Sequence, residues 1–106
     1  MEFVSGNIMI RPMILEKAGS VVQGHKHTFD HTSIVFTGSV RVKAVLPNGR
    51  ALEQDFSKAS HFLVLAGVEH EITALEDGTI VWCVYSHRDP QGDVIQQHIG
   101  WSPAYG

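Results

Sequence analysis

A chain of 106 residues has room for one core and no second, because folding at that size buries roughly two-thirds of the surface the unfolded chain exposes. Its formal net charge of −3 lacks the basic footprint that binding to phosphate backbones requires, so nucleic acid is not an expected partner. Glu2 stands where a secretory signal would be basic, and apolar runs such as 80–85 fall far short of the ~20 residues that cross a bilayer; with the lone Cys83 unable to form an intrachain disulfide, a cytoplasmic protein with no membrane contact is expected.

Turn signals recur at short intervals along the chain. They are Ser5-Gly6-Asn7, Ala18-Gly19-Ser20, Thr37-Gly38-Ser39, Pro47-Asn48-Gly49, Glu76-Asp77-Gly78 and Asp89-Pro90-Gln91-Gly92. Between them lie runs rich in β-branched and aromatic residues, which predict strands over 8–15, 33–36, 40–46, 51–56, 61–65 and 79–86. In 39–45 the alternation is clean: Val40, Val42 and Ala44 fall on one side, Arg41 and Lys43 on the other. Asn48-Gly49 tolerates the positive φ of a tight turn and predicts a hairpin there. Only 93–99 has any helical character, and β-branched Val94 and Ile95 argue against it. Roughly eight to ten short strands in an all-β sandwich or barrel follow from the turn spacing, in a single domain over 1–106.

Seven histidines are present, three of them between positions 25 and 31. His25 and His27 are separated by one residue, so on a strand both rings project from one face. His31 follows a stretch short enough to turn the chain back, and His70 approaches from another strand after the Gly67 turn. Imidazole is the commonest protein ligand for Zn, Fe, Ni and Cu, and rigid strands preorganise such a cluster. A metal site on a β scaffold is therefore expected.

The spacing of these residues resembles that of the cupin family. Its first motif is a glycine, five residues, His-x-His, three or four residues, a glutamate, six residues and a glycine; here stand Gly19, His25, His27, His31 and Gly38 at those intervals. The departure is His31 in place of glutamate. Of the second motif Gly67 and His70 are present, while Ala59, Leu65 and Ala74 stand where glycine, proline and asparagine are usual. The resemblance runs from Gly19 to Ala74 and implies a cupin-type antiparallel double-stranded β-helix, or jelly-roll barrel, with His25, His27, His31 and His70 at the four ligand positions. Asp30, one residue out of register, should face away.

Four neutral imidazoles leave a divalent ion its full +2 charge, where a carboxylate would reduce it to +1. Loss of the hard oxygen ligand favours Fe, Ni, Cu or Zn over Mg and Ca, with Mn also admitted. The resemblance implies one of two functions: a small-molecule enzyme of dioxygenase, isomerase or cyclase type, or a non-catalytic cupin binding a small molecule beside its metal. No side chain stands out as a general base. His61, His87 and His98 lack motif spacing and are expected at the surface or in hydrogen bonds; Met9, Met13, Phe29, Phe36, Trp82 and Tyr85 are expected to pack; Glu69 and Glu71 should face away from His70. Trp101 and Tyr105 are expected to cover a barrel opening or a second subunit. Segment 3–15 resembles the N-terminal strands by which small cupins pair with a partner, so a homodimer is expected.

Overall fold

A computed structural model describes residues 3–25 and 28–94. Nine strands are described: β1 (Phe3–Ser5), β2 (Ile8–Leu15), β3 (Val21–His25), β4 (His31–Thr37), β5 (Ser39–Val45), β6 (Ala51–Ser57), β7 (His61–Val64), β8 (Glu69–Ala74) and β9 (Thr79–Ser86). The strands expected at 8–15 and 79–86 have those bounds, and the others agree to within two residues at each end. Of segment 93–99 the described part is not helical: Val94 forms a β-bridge with Arg88, across a turn in which Asp89 Oδ1 accepts from the amides of Gln91 and Asp93. Lys26, His27, His98, Trp101 and Tyr105 lie outside the described residues.

The pairing has a simple logic. β5 and β6 form a hairpin; β4 pairs with β7, β3 with β8 and β2 with β9, so the chain is one long antiparallel ribbon with its tip at residues 47–49. That ribbon coils, and its turns join where β4 meets β9 and β5 meets β8. The result is two facing sheets, ordered β1-β2-β9-β4-β7 and β3-β8-β5-β6, which is the jelly roll expected. At the tip, Gly49 has φ 85° and donates its amide to Leu46 O, so the expected Asn-Gly hairpin is present.

Burial follows a period of two. Val40 and Val42 of β5 face inward with Ile72 and Ala74 of β8, opposed by Val35, Val64 and Val81 from the other sheet. The outer face of the four-stranded sheet is charged and wet: Arg41 donates from Nε to Asp55 Oδ1 at 2.8 Å and from Nη2 to Oδ2 at 3.0 Å, and Lys43 lies 3.9 Å from Glu53. The outer face of the five-stranded sheet is apolar, carrying Ile8, Ile14, Phe36 and Leu63, each more than half exposed, and a Phe36–Trp82 stack with ring centres 5.0 Å apart.

Two positions show why the motif glycines stand where they do. Gly38 has φ 78°, and a Cβ there would fall on Thr79 Oγ1 and 2.9 Å from Thr79 Cα; Thr79 is fully buried and donates to Glu76 O at 2.8 Å. Ala59 occupies a glycine position of the second motif and keeps the glycine conformation at φ 70°, with its amide donated to Val35 O. An L-residue in this region carries strain of about 1–2 kcal/mol. Ala59→Gly is therefore expected to raise stability by about 1 kcal/mol and Gly38→Ala to lower it by about 2–4 kcal/mol. Urea midpoints at unchanged slope measure both; a destabilised Ala59→Gly would refute the strain at that turn.

Candidate metal centre

The site is set by a register shift. Val22 of β3 is buried and pairs with Ile72 of β8, so unbroken alternation would place Gly24 opposite His70. A bulge between Val22 and His25 adds one residue, and His25 takes the position opposite His70 instead. Bulges re-aim a strand in this way. On β8 the alternation holds: Glu69 is exposed and Glu71 half-buried, while His70 is 2% exposed. Both glutamates turn away from it, as the sequence predicts.

From the opposite sheet, β4 opens with His31, 3% exposed, followed on the same face by fully buried Ser33 and Val35. The rings of His31 and His70 have centroids 5.5 Å apart and planes at 55°. With metal–nitrogen bonds of about 2.1 Å, two imidazoles on one ion have ring centres roughly 4.6 to 6.5 Å apart, so this pair fits a shared ion. The second nitrogens are engaged as ligands require. Val68 O lies 3.1 Å from His70 Nδ1; a carbonyl only accepts, which fixes the proton on Nδ1 and leaves the Nε2 lone pair for a metal. Ser33 Oγ lies 3.3 Å from His31 Nδ1, and a hydroxyl serves either tautomer.

Of the four expected ligands, the structure brings His31 and His70 together, places the backbone of His25 in register with His70, and leaves His27 outside the described residues. Among the described residues no group of three or more His, Cys, Asp or Glu gathers to hold a metal. Asp30 does not approach as a substitute carboxylate: it is exposed, and its Oδ1 accepts from Ala66 N at 2.7 Å, tying the start of β4 to the loop before β8. His61 is exposed on the outer face, and His87 donates its amide to Asn7 O.

Other interior residues were not singled out from the sequence as part of the site. Arg11 is 2% exposed on the inner face of β2, opposite Cys83 of β9, which in turn lies opposite Ser33. Arg11, Cys83 and Ser33 thus make a polar row crossing the five-stranded sheet next to His31, with Ser33 Oγ 3.6 Å from Cys83 Sγ. Burial pushes the Cys83 thiol above its ordinary range, against the smaller opposing pulls of the Ser33 hydrogen bond and the Arg11 charge, so it stays protonated and unreactive. The sequence marks Arg11 only as a lone charge between Met9 and Met13; alternation alone would put a charged face outward. Phe29 stacks on Tyr85 at 4.4 Å and stands 6.3 Å from the His31 ring, closing the site with Met9.

No family model and no curated protein matches the sequence. Among solved structures the chain is similar to oxalate decarboxylases. A serine-to-alanine variant of the Bacillus subtilis enzyme is 29% identical at a TM-score of 0.70, over 76% of this chain and 21% of that one. The Lactobacillus farciminis enzyme in complex with formate is 28% identical at 0.70, over 77% and 24%. A structure concerned with the Mn(II) centres of the Bacillus subtilis enzyme is 25% identical at 0.69, over 85% and 24%. The chain spans between a fifth and a quarter of the length of these enzymes. By its jelly-roll strand pairing and by this likeness, the chain has the cupin fold.

Proposed function

We propose that His25, His27, His31 and His70 hold one divalent transition metal and that the chain acts there on a small organic molecule. The meeting of two buried imidazoles from opposite sheets, 5.5 Å apart, carries the reading. The Mn(II) centres named for the Bacillus subtilis neighbour support a divalent cofactor and add weight to Mn among Fe, Ni, Zn, Cu and Mn. Such an ion, when bound, supplies Lewis acidity to groups placed beside it.

The chain's own residues do the rest. Val68 O holds the proton on His70 Nδ1, and Ser33 orients His31. Phe29, Tyr85 and Met9, all buried, exclude water beside His31. Arg11 puts a permanent positive charge in the interior, where the field of a charge is stronger than in water, and so favours a substrate with an anionic group. Among the described residues no Asp or Glu is buried, so the interior offers no carboxylate base. A chelating anionic substrate turned over in a dioxygenase-, isomerase- or cyclase-like reaction suits this lining.

Protein exchanged into Mn(II) or Zn(II) and freed of excess ion is expected to retain about one equivalent by elemental analysis. The double variant His25→Ala with His27→Ala should lose it, and His31→Glu should keep it with altered preference among metals. Equal metal content in the double variant and the parent would remove the site assignment.

The expected homodimer finds its support on the outer sheet face. β1 pairs with β2 within the chain, which leaves the three-residue β1 as the sheet edge. The apolar outer face offers more, with Ile14 at 65% and Leu63 at 62% exposure. Strands of three to eight residues, about six on average, and four steps between five strands give a projected face on the order of 400 Å², against ~800 Å² of accessible surface per partner in a stable complex. The charged outer face of the other sheet has no such character. Light scattering behind size exclusion is expected to give twice 11.7 kDa, and Ile14→Lys with Leu63→Lys to give a folded monomer; a parent that elutes as a monomer at micromolar concentration would contradict the second copy.

A further inference from the structure

Beside His70, at the open side of the barrel between the edge strands β6 and β7, lies a space of about 200 Å³ that the metal reading does not use. Its walls include Val42 and Ala44 of β5, Leu52 and Phe56 of β6, and Phe62 and Val64 of β7. The register explains why it exists. His70 pairs with Ala44, and Ala44 with Leu52, so one row on the inner face of the four-stranded sheet runs from imidazole through a single methyl to an isobutyl group. Room opens above the methyl. Phe56 and Phe62, ring centres 4.7 Å apart, close one end. Leu52 faces inward by register yet is 43% exposed, because the space reaches solvent past it between β6 and β7, the edge strands of the two sheets.

Size and chemistry together limit what fits. A dry cavity of about 150 Å³ lined by Leu, Ile and Phe accepts benzene, so this one accommodates a six-membered ring or a branched chain of similar bulk. The polar side chains on its walls, Glu53 and Gln54, are exposed on β6, so a ligand polar at both ends would bury one end against Val42, Phe62 and Val64, which disfavours it. We propose that this space takes the apolar arm, of phenyl or short branched-alkyl size, of a ligand whose polar head lies at His70. A substrate as small and as polar as oxalate leaves the arm empty. The position of the head rests on the metal reading above; the apolar arm does not.

The two parts are tested separately. Metal-free protein titrated with toluene is expected to shift the methyl resonances of Ala44, Leu52 and Val64, and the shifts should vanish in Ala44→Phe, which fills the space, or in Leu52→Trp, which blocks its mouth. Both variants should retain the metal content of the parent. In metal-loaded parent, benzohydroxamate should bind tenfold or more tighter than acetohydroxamate, and either variant should erase that preference. Absence of toluene shifts at these methyls overturns the proposal, as does a hydroxamate preference below tenfold or one that survives both variants. Should the parent bind no metal, the functional reading fails while the toluene titration still decides the arm.

Discussion

Two buried imidazoles approaching from opposite sheets are the constraint around which this barrel is arranged. Facing sheets stand about 10 Å apart, so side chains from both must reach the middle before they can share an ion. The spacing is held by Ile72, Val35, Val40 and Val81, all essentially inaccessible, packed at the density of an organic solid. The bulge in β3 then decides which residue of that strand stands opposite His70. Without that extra residue Gly24 would occupy the position, and the backbone of His25 would be out of register with His70.

The interior divides into two chemical halves. On the five-stranded sheet Arg11, Cys83, Ser33 and His31 form a polar patch around the Arg11 guanidinium, with no buried Asp or Glu among the described residues. On the other side, β5, β6 and β7 supply chiefly methyl groups and phenyl rings around an open space, with Glu53 and Gln54 exposed on β6. A molecule that satisfies both halves is amphipathic. That separates this site from what the names of its structural neighbours imply for theirs, and a shared fold permits such divergence, since the barrel fixes where a site lies and the lining fixes what it takes.

The ribbon of long strands was legible in the sequence because its turns carry glycine at positions of positive φ and its strands alternate. β5 is the clearest case, with charge outside and valine inside. β2 and β9 were found as strands, but their faces were not readable: Ile8, Ile10, Pro12 and Ile14 on one side are as apolar as Met9, Met13 and Leu15 on the other, so alternation gave no contrast and the charge on Arg11 was the only clue to the inner polar row. β1 is too short to carry a pattern. The β3 bulge was invisible because period-two reasoning assumes an unbroken ladder, although the difference in parity between buried Val22 and His25 contains it. Ala59 was noted as a departure from a motif; its glycine-like φ is a property of the turn between β6 and β7 and not of its side chain.

The central claim concerns the atoms that surround the ion, and X-ray absorption fine structure on Mn(II)-loaded protein reads them directly. The account predicts a nitrogen-containing inner shell with the outer-shell scattering of imidazole rings, fitted by four of them, falling to three in His31→Glu. A shell of oxygen alone, with no imidazole scattering, would contradict it.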